Sequence, residues 1–426
     1  MSLTATLFLT LGVCLVLGVP ISFSIGISAM VGLLVGEIPF TFLPQSAITS
    51  VDSLSIMAIP FFVLAGNVMD TGGLSKRLIS VATNLVGNVT GGFGMVTVIA
   101  CGFFAAICGS SPATVAAIGA IMIPAMINRG YSVPDAAAIS ACAGGLGIII
   151  PPSVNMVIYG VTAGVSISDM FLAGFLPGFL IIAVLCGLNY FIGKKKGIAK
   201  SGVRFSFKRF LQASWDAKWA LLAPVIILGG IYSGWFTPTE SAVVAVIYGS
   251  VIGLFVYKEL KWKDIPRILA ESATTTGSIV IILGLATAFG RLVSMYQIPQ
   301  QLAAGISGIT NNPYVLMLLI AGIIFILGCF METLSIMIIL TPIFLPIVKA
   351  AGVDPLHFGM LMVLGAEIGM MTPPVGVNIF VASGISGAPL ESVSRSMLPF
   401  IIAMAVIYVI VILVPPLSTI LPSIIG

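Results

Sequence analysis

The sequence predicts an all-α polytopic membrane protein made of two inverted repeats, each holding a helical hairpin and a helix broken at a proline pair. Composition gives the first reason. Of 426 residues, 59% are hydrophobic and 8% charged, with mean hydropathy +1.19, whereas soluble domains carry about 25% charged residues. Segment length gives the second, because apolar runs of about 16–24 residues suit helices crossing a hydrocarbon layer about 30 Å thick. The third reason is internal. A constant offset lays Pro124 on Pro346, Gly130 on Gly352, Gly147 on Gly369 and Pro151-Pro152 on Pro373-Pro374. At the same offset Ser110 and Ser111 fall on Glu332 and Thr333, and one insertion later Asn155 falls on Asn378.

The first repeat covers 1–193. Residues 3–19 and 21–36 read as apolar helices separated at Pro20, which lacks the N–H needed to continue the first. A third helix is expected over 55–70, followed by Gly72-Gly73 and an amphipathic stretch bearing Lys76 and Arg77. The hairpin spans 93–128. Its first arm ends at Gly109-Ser110-Ser111-Pro112, where a capping serine and a proline in the first turn start the second arm. Pro134 opens the broken helix, 134–164, and a last helix over 170–193 runs into Lys194-Lys195-Lys196.

Residues 194–218 form a linker with eight Lys or Arg, interleaved with Phe205, Phe207, Phe210 and Trp215 and followed by Trp219. Between membrane helices such a run reads as a cytoplasmic segment lying on the headgroups of the lipid bilayer, with no nucleic-acid partner. The second repeat covers 219–426. It begins with a helix pair at 219–235 and 241–257, a basic stretch from Lys258 to Arg267, and a helix at 268–290. A shorter amphipathic stretch precedes the hairpin 313–348, whose tip is Met331-Glu332-Thr333, and the broken helix 355–384.

Charge orients the repeats. Five crossings are expected in the first repeat, since the hairpin enters and leaves on one side, and an odd number inverts the second copy. With the linker in the cytoplasm, only Arg291 and Lys349 of the 18 basic residues fall outside, as the positive-inside rule demands. Both termini are then periplasmic or extracellular. No cleavable signal is expected, because the first lysine is Lys76. The six cysteines lie in apolar runs without paired spacing and read as small hydrophobes.

Chemistry concentrates at the two breaks. Pro151 and Pro152 offer no N–H to the carbonyls of Gly147 and Ile148, and Pro373 and Pro374 offer none to those of Gly369 and Met370. Freed carbonyls in a membrane survive only where buried in protein or lining a polar cavity. With Ser153, Asn155, Thr372 and Asn378 nearby, they supply oxygen ligands suited to a hard cation. A broken helix repeated at matched places is the sequence mark of a transporter's binding site.

Proline-proline breaks, Gly-Ser-Ser-Pro-Ala-Thr at a hairpin tip and Ile-Pro-Phe-Phe-Val-Leu-Ala-Gly at 59–66 together resemble the large membrane subunit of tripartite ATP-independent periplasmic (TRAP) transporters, over essentially the whole chain. The resemblance implies a sodium-driven secondary transporter of the bacterial inner membrane, importing an organic acid such as a C4-dicarboxylate or sialic acid. It implies two partners, a small four-helix membrane subunit and a periplasmic substrate-binding protein, and an elevator-like movement of a transport domain. It also implies two Na+ sites. One would lie near Ser110, Ser111, Gly147, Ile148, Pro151 and Asn155, the other near Glu332, Thr333, Gly369, Met370, Thr372, Pro373 and Asn378.

Other readings compete. A proton-coupled carrier of the same architecture would use Glu332 or Glu367, since ionisable groups within spans are functional candidates. An intramembrane hydrolase with Ser110 or Ser111 as nucleophile needs a base, and the single histidine, His357, lies far along the chain from either tip. No Gly-x-x-x-x-Gly-Lys motif is present, which argues against an ATP-driven pump and leaves no enzyme reading in place. Glu240 reads as a helix N-terminal carboxylate, His357 as structural without an evident partner, and Gly91 to Gly94 as a close-packing site.

Overall fold

Helix starts in this chain are fixed by side chains as much as by hydropathy. Ser132 accepts the N–H of Asp135, and Asp354 accepts those of Leu356 and His357, each just before a broken helix. Thr237 and Glu240 close a reciprocal capping box, so Glu240 is the N-terminal carboxylate its position suggested. Ends are set by left-handed glycines, which alone adopt this backbone without strain. Gly164 and Gly387 end the two broken helices at φ 66° and 71°, and Gly130 and Gly352 turn the chain at 89° and 77°. The offset read from the sequence is therefore also written in the backbone.

The computed structural model describes residues 3–86, 88–198, 206–298 and 312–425, and among these all regular structure is helical. The hairpins are Gly92–Cys108 with Ser111–Ile127, and Pro313–Gly328 with Thr333–Ala350. The first broken helix is Val133–Gly144 with Leu146–Ile149, then Val154–Ala163, bent by 41°. The second is Pro355–Met370, then Val377–Ser386. Among the described residues, five helices are long and apolar enough to cross a membrane, and two bent pairs raise this to seven.

Leu390–Leu413 and Pro416–Ile425, after the second broken helix, have no counterpart in the sequence reading. Nor do Phe42–Val51, between apolar segments, and Phe207–Asp216, within the basic linker. The latter meets Lys218–Tyr232 at 66°, with Lys218 Nζ 3.9 Å from the Trp215 ring, as suits a helix at a headgroup surface. Residues 199–205, including Phe205 of the linker, and 299–311, most of the amphipathic stretch before the second hairpin, lie outside the described residues.

The broken helices run through the centre. Every residue from His357 to Met370 is buried, as is every residue from Asp135 to Gly144, so both helices are enclosed on all sides. Packing at this depth depends on close approach, because lipid leaves little hydrophobic drive between helices. Gly359 lies under the ring of Tyr159, whose hydroxyl donates to the Pro355 carbonyl at 2.6 Å, joining the two broken helices. Gly91 and Gly94 lie against Asn189, which accounts for that glycine run. His357, read as having no partner, has one: its Nδ1 is 2.6 Å from Ser418 Oγ, in a helix 61 positions away that no local pattern connects to it. The six cysteines carry free thiols, five of them buried.

Candidate functional site: two hairpin tips on two broken helices

Each hairpin tip is seated on the break of its own repeat. In the first, Gly109 (φ 68°) ends one arm and Ser110, extended at φ −135° and ψ 130°, starts the other. The Gly109 carbonyl accepts the N–H of Val154 at 3.3 Å, tying the tip to the helix that leaves the break. The Ser110 carbonyl accepts the Thr114 hydroxyl at 2.7 Å. Gly147 lies against both, and a Cβ there would collide with the Ser110 carbonyl and the Thr114 hydroxyl. The structure thus brings Ser110, Gly147 and the Pro151-Pro152 break together, through a glycine contact no other residue fits.

The second tip is seated differently. The Cys329 carbonyl accepts the N–H of Val375 at 3.2 Å, and Gly328 meets Gly369 backbone to backbone. These contacts lie a turn before Glu332, so Glu332 projects from the tip and is exposed, while Thr333 is buried. The two breaks also differ in access. Residues 150–160 are all buried, whereas Pro373, Pro374 and Val375 are exposed. Both Pro-Pro bonds are cis.

Backbone accounting at the breaks is not identical either. Residues 151 and 152 lack N–H groups, as the sequence requires, so neither Gly147 nor Ile148 receives its helical bond. The Gly369 carbonyl, expected free, accepts the N–H of Thr372 at 2.9 Å, a tightened last turn that uses one of its two lone pairs. The Thr372 hydroxyl donates to the Ile368 carbonyl at 2.6 Å. The Met370 carbonyl, facing Pro374, receives no helical bond.

Among the described residues, buried polar atoms without a hydrogen-bonding partner gather around these elements. They include Ser153 Oγ and Asn155 Nδ2 beside the first break, Ser335 Oγ and Thr341 Oγ1 in the second hairpin, and Glu367 Oε2 and Asn378 Oδ1 at the second break. Such atoms are uncommon in folded proteins, and each points to a ligand, a water or a moving part.

The largest departure from the sequence reading is between repeats. Ser111, at the first tip, does not face its own break. Its hydroxyl donates to Glu367 Oε1 at 2.9 Å, and Asn378 Nδ2 lies 2.7 Å from both Ser111 Oγ and Glu367 Oε1. All three residues are fully buried. Asn378 reaches the first tip because Val377–Ser386 packs on Ser111–Ile127 and Val133–Gly144. In turn Val154–Ala163, which carries Asn155, packs on Thr333–Ala350. The helix leaving each break thus belongs to the other repeat's hairpin. Sequence reasoning named Glu367 only as an ionisable candidate. A signal was present, since the constant offset sets Glu367 on Gly145, and the Glu367 carboxylate sits over that glycine.

Residues 8–417 match the family model of the tripartite ATP-independent periplasmic transporter, DctM component. The chain is 45% identical, over 94% of its length, to the isethionate TRAP transporter permease protein DctMQ of Oleidesulfovibrio alaskensis, of which it spans 63%. It is 42% identical to the C4-dicarboxylate TRAP transporter large permease protein DctM of Pseudomonas aeruginosa, covering 87% of each chain. It is 36% identical to the sialic acid TRAP transporter large permease protein SiaM of Vibrio cholerae, covering 95% of each. In fold it is similar to the solved structure of the YdaH transporter of Alcanivorax borkumensis, with TM-score 0.65, 13% identity and 86% of each chain covered. Sequence, helical architecture and the paired hairpins and breaks agree, and the chain belongs to the DctM component family of tripartite ATP-independent periplasmic transporters, a family of membrane permeases and not of enzymes.

Proposed function

We propose that this chain is the large permease subunit through which an organic anion enters the cell on a sodium gradient, with one sodium held at each hairpin tip. The observation that carries the proposal is the seating of each tip on a proline-proline break of its own repeat. The first site would draw on Ser110, Gly147, Ile148 and the Ser153–Asn155 start of the next helix. The second would draw on Thr333, Gly369, Met370 and Thr372. The donor sets suit sodium: neutral oxygens at helix ends, several denied a protein partner by proline. Glu332 is exposed at the second tip and would act on access more than on ligation.

The organic anion is read as a C4-dicarboxylate, sialic acid, isethionate or a similar small acid, the compounds for which the relatives are named. Two partners are proposed with it: a periplasmic binding protein that delivers the anion, and a small four-helix membrane subunit. Support for the latter is that the chain covers large permeases nearly end to end but only 63% of the DctMQ relative, whose extra length would hold it. Both termini are placed on the periplasmic side of the inner membrane and the 194–218 linker in the cytoplasm.

The test is uptake by the complete complex in vesicles. Replacing sodium by choline should abolish it, as should omitting the binding protein. Uptake that persists without sodium and follows a proton gradient would favour proton coupling instead.

A further inference from the structure

The three side chains that join the repeats spend all their hydrogens on one another. Ser111 gives its hydroxyl hydrogen to Glu367 Oε1, and Asn378 Nδ2 directs one hydrogen to Ser111 Oγ and the other to Glu367 Oε1. What remains is acceptor only: Glu367 Oε2 and Asn378 Oδ1, both without a partner among the described residues, and a lone pair on Ser111 Oγ. Glu367 and Asn378 are 0% exposed, and among the described residues no ion pair engages Glu367. A carboxylate so placed must be paired with, or coordinate, positive charge to remain ionised at this depth. Oxygens without hydrogens, one of them anionic, are what a hard cation takes as ligands.

We propose that Glu367, Asn378 and Ser111 hold a monovalent cation between the two repeats, at a third position apart from the hairpin-tip sites. Gly145 makes the position possible, since a Cβ there would come within 2.6 Å of Glu367 Oε1. The repeat supplies no matching carboxylate, because Gly145 stands where the second repeat has Glu367. The cation position is therefore single. It also bridges the repeats: Ser111 belongs to the first tip, while Glu367 and Asn378 flank the second break, so a bound cation draws the two together.

The inference rests on the sodium-coupled reading, and its test separates the two. The measurement is the number of 22Na+ ions bound per complex, with sodium alone as the probe, at pH 6 and pH 8. Glu367→Gln keeps an oxygen for Ser111 and Asn378 but removes the charge. It should bind one sodium fewer than the parent at both pH values. Glu367→Asp, which keeps the charge, should regain that ion with weaker affinity. Gly145→Ala, with Glu367 intact, should lose affinity for the same ion, which covers the case of a poorly folded Gln variant. A parent that binds no sodium would refute the proposed function itself. A parent that binds sodium, with a Gln variant that binds just as many ions, would overturn the third position alone. A Gln variant that differs from the parent only at pH 8 would also contradict it, because the parent's carboxyl would then hold a proton at pH 6.

Discussion

Asn378 Nδ2 lies 2.7 Å from Ser111 Oγ, so the helix leaving the second break is hydrogen-bonded to the tip of the first hairpin across 267 positions of chain. The cluster of Ser111, Glu367 and Asn378 is therefore built by both repeats. Asn378→Ala should leave Ser111 and Glu367 without a shared donor in a buried place. Such a loss destabilises by about 1–3 kcal/mol, which a thermal unfolding series in detergent should read as a lowered Tm relative to the parent. An unchanged Tm would mean that the contact is not held in the folded protein.

Gly147 is the tightest point of the first tip. Alanine there would drive a methyl group into the Ser110 carbonyl and the Thr114 hydroxyl. Overpacking of this kind costs about 1–3 kcal/mol. Gly147→Ala should therefore lower Tm and raise the sodium concentration for half-maximal uptake together, because the tip must lift off the break to make room. A fall in Tm with sodium dependence intact would separate the seating of the tip from ion binding.

The proposed orientation rests on where the basic residues fall. A single cysteine replacing Lys208, in the linker helix, should react with a membrane-impermeant maleimide only from the cytoplasmic side. One replacing Lys349, at the end of the second hairpin, should react only from the periplasmic side. Labelling of both from one side would contradict the inverted arrangement.

Glu259 clasps the repeats, accepting Lys76 Nζ and Arg77 Nη1 at 2.7 Å each. The hydrogen bond from Lys76 leads in holding its carboxyl below the ordinary value of 4.5, aided by Arg77 and opposed by partial burial. A depressed folded-state pKa contributes stability above the unfolded value and loses it as pH falls through the folded value. Glu259→Gln should thus lower Tm near pH 7 by a small amount, since partly exposed pairs are worth about 1 kcal/mol or less. The difference from the parent should shrink as pH drops below about 4.5. A difference that stays constant with pH would assign the effect to packing.

Much of the architecture was legible because proline and glycine act locally. Pro112, Pro134, Pro313 and Pro355 each fall in the first turn of a helix they start, and Gly109, Gly164 and Gly387 end helices in the left-handed conformation. The proline pairs marked both breaks for the same reason. What the sequence did not yield depends on contacts between distant segments. Ser111 and Asn378 read as members of separate sites, because nothing local says that Val377–Ser386 crosses to the other hairpin. The Gly369 carbonyl read as free because proline removes the fourth-residue bond, yet the Thr372 N–H reaches it one residue earlier. Phe42–Val51 was missed as a short helix, its polar Gln45, Ser46, Thr49 and Ser50 breaking the apolar run.

The central claim is that the proline pairs keep carbonyls available for ions, and sodium dependence of uptake by the complete complex tests it most directly. In Pro151→Ala/Pro152→Ala the new N–H groups can take the carbonyls of Gly147 and Ile148, so the helix gains bonds and loses proline's clash. Tm should hold or rise while sodium affinity falls at least tenfold, equivalent to about 1.4 kcal/mol. Pro373→Ala/Pro374→Ala should do the same more weakly, because the Gly369 carbonyl already takes the Thr372 N–H. Thr372→Ala should weaken sodium activation without raising Tm. Parental sodium affinity in both alanine-pair variants would show that the prolines only bend these helices, and would contradict the account.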